Sequence, residues 1–189
     1  MTLPLGRALL FQYGSNMAEE ELRLKITKHL AEFAPPGVEA DLTLRGAARV
    51  AGWRFEFGLF STGRQHRVAD ITNVGGDSEV WGALYELPTE LVRRSDGTRS
   101  VLDRIEGHRT AKHPENYVPN CLSVQFADKS LVAWTYVGRD DARDRCRTEH
   151  WDAPPSEAYV QAILHGAASL GLPETYVDEL KAAIAATGA

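Results

Sequence analysis

Short apolar runs and helical spacings alternate along the first part of the chain. Residues 8–13 are almost continuously apolar, which predicts a buried β-strand that ends at Gly14. A helix is expected from about Met17, with Asn16 as its N-cap and Glu19 three residues later in capping-box spacing. Apolar residues then recur on one predicted helix face, namely Leu22, Ile26, Leu30 and Phe33. The chain therefore opens with a strand, a tight loop and an amphipathic helix.

Predicted strands dominate the central part of the sequence. Residues 44–60 alternate in places between apolar and polar, and Gly52 and Gly58 indicate bends or bulges. The two expected hairpins are residues 67–74 with 79–87 around 75–78, and residues 117–126 with 131–137 over 127–130. Helices are expected after residue 88, over residues 99–106, after residues 154–156 and after residues 171–173.

This order of elements is typical of an α+β domain, because the strands do not alternate regularly with helices. The sheet is expected to be mostly antiparallel or barrel-like. A length of 189 residues suits one domain, so residues 1–189 are expected to form a single unit.

Composition and charge narrow the class of protein. Hydrophobic residues make up 43% of the chain and charged residues 25%, which is ordinary for a soluble globular protein. The net charge of −5 provides no general basic field, so neither nucleic acid nor an anionic membrane is an expected partner. We recognise no secretory signal or membrane span, and we expect Cys121 and Cys146 to be free thiols. A cytoplasmic location is therefore expected.

The first candidate for chemistry is the loop of residues 13–16, between the predicted strand and helix. Gly14 allows a sharp turn and the close approach of a ligand, and Ser15 and Asn16 add short hydrogen-bonding side chains. Helix starts expose unpaired N–H groups and the positive end of the helix dipole, which can hold a carboxylate or a developing oxyanion. The same pattern also fits an ordinary capped helix after a strand.

The second candidate is Glu106, near the end of the central predicted helix. It shares a helix face with Leu102, four residues earlier, and lies beside Ile105. Asp103 and Arg104 are expected to point elsewhere. Burial of the Glu106 carboxylate and its position at the negative end of the helix dipole both predict a raised pKa. Such a group can accept and return a proton near neutral pH, although a side chain that swings into water at a frayed helix end also fits the spacing.

Four segments occur in a fixed order between about residue 9 and residue 180. They are Phe11-Gln12-Tyr13-Gly14-Ser15-Asn16, Glu79-Val80-Trp81-Gly82-Ala83-Leu84-Tyr85, Leu102-Asp103-Arg104-Ile105-Glu106-Gly107, and a C-terminal set of Ala153-Pro154-Pro155-Ser156, Tyr159, Gly166-Ala167 and Gly171-Leu172-Pro173. Together they resemble the γ-glutamylcyclotransferase family, including its AIG2-like members. Gln12 departs from the pattern, since the family often has a small residue there.

This resemblance implies an α+β fold around a small, mixed, mostly antiparallel β-barrel with flanking helices. It implies a small-molecule γ-glutamyl substrate, a cyclotransferase (lyase-type) reaction that releases 5-oxoproline, and no cofactor or metal. Glu106 is the implied catalytic acid/base. The implied substrate-binding residues are Tyr13, Gly14, Ser15 and Asn16, which act largely through backbone groups, together with Tyr136 and Tyr117 near the pocket.

Several alternatives stay open at this point. The same chemistry could act on a γ-glutamyl amine or a γ-glutamyl-acylated metabolite, or the fold could serve non-catalytic binding of a small molecule. The basic, histidine-containing segment 108–116 could alter the pocket rim and hence the acceptor group. The histidines show no spacing typical of metal ligands, and a homodimer is compatible with the sequence but required by no feature. A solvated surface is expected for Arg64, Arg67, Arg93, Arg94 and Arg99.

Overall fold

The structure, a computed structural model, describes residues 4–108 and 116–188. Its strands are β1 (Arg7–Gln12), β2 (Thr43–Ala51), β3 (Trp53–Ser61), β4 (His66–Asn73), β5 (Glu79–Pro88), β6 (Tyr117–Phe126) and β7 (Lys129–Gly138). Its helices are α1 (Glu19–Phe33), α2 (Thr89–Val92), α3 (Val101–Ile105), α4 (Asp140–Glu149), α5 (Glu157–Ser169) and α6 (Glu174–Ala185). A short 3₁₀ turn, Ser15–Met17, lies between β1 and α1.

Five of these strands close into a barrel in the order β1-β5-β2-β6-β7. Neighbouring strands are antiparallel except β1 and β7, which pair in parallel where Leu10 faces Trp134. Fully buried side chains such as Leu10, Phe11 and Tyr85 fill the interior. The predicted α+β class, with a mixed and mostly antiparallel barrel, is confirmed. Over the described residues, no helix combines the length and the apolar character needed to span a bilayer.

The first predicted hairpin is wrong, because β4 pairs with β3 and β5 pairs with β1 and β2. The turn of the real hairpin lies between Ser61 and His66. Residues 75–78 instead form a corner against Gly52, whose N–H donates to Ser78 O at 2.7 Å and whose carbonyl accepts from Gly75 N at 2.9 Å. The glycine-rich stretch therefore marks the point where two paired strands leave the β3–β4 sheet and enter the barrel.

The other long predicted elements are present, with one omission. Strands β6 and β7 pair across a tight turn at Ala127, which has a φ of 49°, as the second predicted hairpin requires. Ser156 caps α5 through the N–H of Tyr159. Helix α4 was not singled out by the sequence pattern. Its sequence is almost entirely polar, and only Ala142 and Cys146 are buried, so it lacks the apolar stripe that marks a helix.

The start of α1 differs from the prediction. The helix begins at Glu19 with Ala18 at the N-cap position, and no side chain caps it. Asn16 is buried in the preceding 3₁₀ turn and is therefore not the helix cap. Its short amide side chain is therefore available for hydrogen bonds in the interior instead of at the helix end.

One of the arginines expected at the surface is buried. Arg67 is almost fully enclosed, and its Nε donates to Ala153 O at 2.7 Å. Its guanidinium also lies over the Trp151 ring, 4.8 Å from the centroid. The prediction of a solvated side chain is wrong here because Arg67 ties β4 to the segment before α5, an arrangement that local sequence does not reveal.

Gly82 and Gly166 permit two close backbone approaches that fix the first loop. A Cβ on Gly82 would overlap the carbonyl oxygen of Gln12, at the end of β1. A Cβ on Gly166 would lie 2.8 Å from the Cβ of Met17, so α5 also packs directly on the 3₁₀ turn. The loop that follows β1 is thus clamped between β5 and α5.

We expect Gly82→Ala to lower the free energy of unfolding by about 1–3 kcal/mol, because β1 must move away from the added methyl group. Urea denaturation of the two proteins measures this difference. Gly63→Ala is the matched control, since a Cβ there meets no atom within 4 Å, and a change within about 0.5 kcal/mol is expected. Equal stability of Gly82→Ala and wild type would contradict the close approach.

Candidate functional site

The loop after β1 and the C-terminal end of α3 meet at the carboxylate of Glu106. Gln12 Nε2 donates to Glu106 Oε1 at 3.2 Å, and Asn16 Nδ2 donates to the same oxygen at 2.9 Å. Gln12 and Asn16 are separated from Glu106 by 94 and 90 residues in sequence. The two segments singled out from the sequence therefore form one site, in which the last side chain of β1 and one side chain of the following loop hold the carboxylate directly.

Helix α3 aims Glu106 at this loop. Its first turn carries a capping box, in which Ser100 Oγ accepts from Asp103 N at 3.1 Å and Asp103 Oδ2 accepts from Ser100 N at 2.9 Å. Leu102 anchors the helix in the core. The N–H of Glu106 donates to Leu102 O at 2.9 Å, and Gly107, with a φ of 75°, ends the helix directly afterwards. Glu106 thus lies at the C-cap, half-buried, on the face predicted for it.

Asp103 points into the interior, whereas the helical spacing predicts that it points away. Its side chain is buried, and besides capping α3 it accepts the hydroxyl of Tyr136 at 2.9 Å. The hydroxyl of Tyr13 in turn donates to the carbonyl of Tyr136 at 2.6 Å. This chain of hydrogen bonds connects the end of β1, strand β7 and the start of α3. Because α3 is short, its side chains do not divide into an apolar and a polar face. The capping residue Asp103 is therefore buried as well.

Lys25 supplies a cation beside the carboxylate. Its Nζ donates to Asn16 Oδ1 at 2.6 Å, so the Asn16 amide links the ammonium group on one side to Glu106 on the other. Burial lowers the pKa of Lys25, as does the positive charge of Arg64, while the charge of Glu106 opposes this shift. The site therefore contains a carboxylate and an ammonium group held apart by one amide.

Burial raises the pKa of the Glu106 carboxyl above its ordinary value. The hydrogen bond from Gln12, the charge of Lys25 and the hydrogen bond from Asn16 favour the ionised form and oppose this shift. The net direction is upward, as the sequence had predicted. A carboxylate with a raised pKa is a better proton acceptor near neutral pH than an ordinary glutamate, and its acid form is easier to reach.

The tyrosines of the site form a wall, with hydroxyls engaged by the protein. The hydroxyl of Tyr117 donates to the carbonyl of Ala69, and the hydroxyl of Tyr159 accepts from Ala69 N at 3.1 Å. Burial raises the pKa of Tyr13, Tyr117 and Tyr136 well above the ordinary value, and that of Tyr159 to about 12. These phenols are therefore neutral donors or acceptors rather than bases.

Two connected cavities expose these groups. The inner one, about 30 Å³, is lined by Gln12, Tyr13, Gly14, Ser15, Asn16, Ala69, Glu106, Tyr117, Tyr136 and Tyr159. A larger cavity of about 640 Å³ shares Ser15, Asn16, Glu106, Tyr117 and Tyr159 with it. Every residue that the sequence predicted for the site thus lines at least one of the two cavities. The sequence predicts that the Glu106 carboxylate is buried. It is only partly shielded from solvent, because it faces the cavity.

Sequence reasoning missed part of the wall. Lys25 is one of many charged residues on α1, and Tyr159 belongs to the C-terminal motif set but is not among the predicted site residues. Arg64 was assigned to the surface, and it is exposed, but it also lines the larger cavity and lies over the Tyr159 ring at 5.7 Å. The position of Tyr159 just after the Ala153–Ser156 motif was the one available signal.

The segment suggested as a pocket rim lies mostly outside the described residues. Of its ends, His108 Nδ1 donates to Tyr117 O at 3.1 Å, and Asn116 Nδ2 donates to Phe60 O at 2.7 Å. Asn116 lines the larger cavity. Within residues 4–108 and 116–188, no three histidine, cysteine, aspartate or glutamate side chains come together as a metal-ligand group.

A sequence model of the AIG2-like family matches residues 79–180, which is over half of the chain. The chain belongs to the AIG2-like family. The match includes three of the four segments that carried the resemblance, and the first segment lies before it. The resemblance is therefore confirmed at the level of the family.

Two related proteins are similar to this chain over most of their length. The chain is 28% identical over 179 residues to gamma-glutamylcyclotransferase of Mus musculus, and 28% identical over 180 residues to that of Homo sapiens. In both comparisons the match covers 92% of this chain and 77% of the relative.

Solved structures share the fold of this AIG2-like protein. An uncharacterized protein from Homo sapiens matches with a TM-score of 0.68 at 24% identity, covering 94% of this chain and 88% of that chain. Gamma-glutamyl cyclotransferase matches with a TM-score of 0.65 at 24% identity, covering 93% and 87%. YkqA from Bacillus subtilis matches with a TM-score of 0.65 at 19% identity, and the match covers 54% of its chain.

The raised pKa of Glu106 predicts how the stability of the protein depends on pH. A carboxyl whose folded-state pKa lies above its unfolded value stabilises the fold at low pH, and this contribution is lost as pH rises through the folded pKa. Glu106→Gln keeps an oxygen for Gln12 and Asn16 but carries no charge. We therefore expect the stability of the variant relative to wild type to increase between about pH 4 and pH 8.

Urea denaturation of both proteins across this pH range measures the difference. Glu20→Gln, at an exposed position of α1, is the matched control and is expected to show no comparable trend. A decrease in the relative stability of Glu106→Gln with rising pH would show that the hydrogen bonds and cations outweigh the burial of the carboxylate.

Proposed function

We propose that this protein is a γ-glutamylcyclotransferase that converts a γ-glutamyl peptide into 5-oxoproline and a free amino acid. The observation that carries the proposal is the carboxylate of Glu106, held by Gln12 and Asn16 at the junction of two cavities. Membership of the AIG2-like family and the similarity to two proteins named gamma-glutamylcyclotransferase support it.

In this proposal the γ-glutamyl part of the substrate lies where the two cavities join, beside Glu106, because the inner cavity of about 30 Å³ has room for only one end of it. The backbone of residues 14–16 offers N–H groups to the substrate, and the tyrosine wall restricts the glutamyl chain to a folded conformation. Because the hydroxyl of Tyr136 is bound to Asp103 and that of Tyr117 to Ala69, these two rings would act mainly by their shape. A chain that is held folded reacts as if its amine were present at very high local concentration.

The reaction forms one carbon–nitrogen bond and breaks another. The α-amino nitrogen attacks the γ-carbonyl carbon, and the γ-amide bond to the acceptor nitrogen then breaks, so no water is consumed. In total the α-ammonium nitrogen loses two protons and the departing amine gains two. Glu106 takes each of the two protons from the attacking nitrogen as a base and delivers it to the leaving nitrogen as an acid. This chemistry uses no metal or cofactor.

The negative charge that develops on the γ-carbonyl oxygen needs hydrogen-bond donors. The N–H groups of the Gly14–Asn16 loop are the proposed donors, and each preorganised donor of this kind contributes roughly 3 kcal/mol. Lys25 is the proposed electrostatic support of Glu106, since its ammonium group reaches the carboxylate through the Asn16 amide. A cytoplasmic location and a homodimer remain predictions.

We expect Glu106→Gln to lower kcat for release of 5-oxoproline from γ-glutamyl-alanine by roughly 10²–10⁴-fold, because the amide cannot move protons. Product formation is measured directly by chromatography. Glu20→Gln, at an exposed position of α1, is the control variant and should retain wild-type turnover. Circular dichroism of both variants checks that the fold is intact.

Wild-type turnover by a folded Glu106→Gln protein would rule out this role for the carboxylate. If the wild-type protein released no 5-oxoproline from any γ-glutamyl peptide or γ-glutamyl amine, the protein would instead be a binding member of the fold.

A further inference from the structure

The larger cavity has a charge opposite to that of the chain as a whole. The chain carries a net charge of −5. Among the described residues that line this cavity, Glu106 is the acidic side chain, whereas the basic ones are Lys25, Lys28, Arg64 and Arg104. Positive charge is therefore concentrated in the larger cavity, where the departing half of a substrate would lie, although the protein as a whole is acidic.

The cations come from three separate segments of the fold. Lys25 and Lys28 are three residues apart on α1, so they share a helix face. Arg64 lies in the turn between β3 and β4, and Arg104 projects from α3. Cations that converge on one cavity from three segments can act together on one ligand. A run of like charges on a single solvated helix face has no such shared ligand.

Protein carboxylates neutralise little of this charge. Lys25 Nζ lies 4.0 Å from Glu21 Oε2 and is bound to Asn16. Over residues 4–108 and 116–188, no ion pair joins Lys28, Arg64 or Arg104 to a carboxylate. Cations that face one cavity without carboxylate partners repel each other, and an anionic ligand relieves that repulsion.

The cations also act on their neighbours. The pKa of His29, another residue of the cavity wall, is lowered by partial burial and then by the positive charges of Arg104 and Lys28. The pKa of Lys25 is lowered by burial and then by the charge of Arg64, against the opposing charges of Glu106 and Glu21. The positive field is therefore shared across the cavity.

We propose that the preferred acceptor half of the substrate is an acidic amino acid, so that γ-glutamyl-glutamate and γ-glutamyl-aspartate are better substrates than their neutral counterparts. The inference rests on the proposed function and adds the substrate class. The α-carboxylate of an acceptor amino acid engages part of the positive field, and a second carboxylate on its side chain engages the rest. A γ-glutamyl amine brings neither group to these cations, so it is a poor substrate.

Matched substrate pairs test this preference. The specificity constant kcat/KM is measured for γ-glutamyl-glutamate against γ-glutamyl-glutamine, which has nearly the same shape but a neutral side chain. We expect a ratio of about two- to fivefold in favour of the acidic acceptor, the effect of a well-placed pair of partly solvated charges. The ratio should fall as salt rises from about 50 mM to about 500 mM, because ions screen charges that face solvent.

Variants assign the preference to the cavity wall. Arg64→Gln and Arg104→Gln should each lower the ratio of the two specificity constants, through KM more than through kcat. Arg147→Gln changes the net charge equally but lies on α4 outside the cavity, paired with Asp144, so the ratio should stay at its wild-type value.

The outcomes separate the two proposals. A ratio near one in a protein that releases 5-oxoproline from both substrates overturns the acidic preference and leaves the cyclotransferase activity standing. A normal ratio in both cavity variants assigns the preference to another part of the protein and overturns the role of these arginines. No release of 5-oxoproline from either substrate or from γ-glutamyl-alanine overturns both proposals.

Discussion

The structure depends on keeping one carboxylate, that of Glu106, inside a tyrosine-lined pocket. Removing a carboxylate from water is costly unless hydrogen bonds and cations compensate for the lost hydration. Here two amide donors, from Gln12 and Asn16, converge on one oxygen, and the ammonium group of Lys25 lies behind the second amide. The compensation is incomplete, so the pKa of the group stays raised and the carboxylate keeps its capacity to exchange protons.

The barrel and its hydrogen-bonded links make this compensation possible. Strand β1 delivers Gln12 and the following loop, while the capping box of α3 fixes the direction of the helix that carries Glu106. The path from Tyr13 through Tyr136 to Asp103 joins these two elements, so a shift of either one disturbs the other. The site therefore has its support in the core, whereas the wall of its solvent-facing cavity is charged.

The two cavities differ in charge. The inner cavity is lined mainly by aromatic rings and neutral polar groups, together with the carboxylate of Glu106. The larger cavity collects cations from α1, α3 and the β3–β4 turn. The hydrogen-bonded carboxylate of Glu106 thus adjoins a cavity whose wall is positively charged.

The sequence alone determined the long elements except α4, the α+β class and the two segments of the site, because apolar spacing, glycine turns and the helix end at Gly107 are local signals. The closed barrel was implied by the family resemblance. Local signals failed where partners are distant. The hairpin predicted around residues 75–78 is wrong because these residues pack against Gly52, and the prediction of Asn16 as a helix cap is wrong because its partner Glu106 is 90 residues away. Only the tertiary structure decided that Asp103 and Arg67 are buried and that four cations share one cavity. Side-chain burial and electrostatic fields are sums over neighbours in space, and chain folding brings those neighbours together from segments that carry no common pattern.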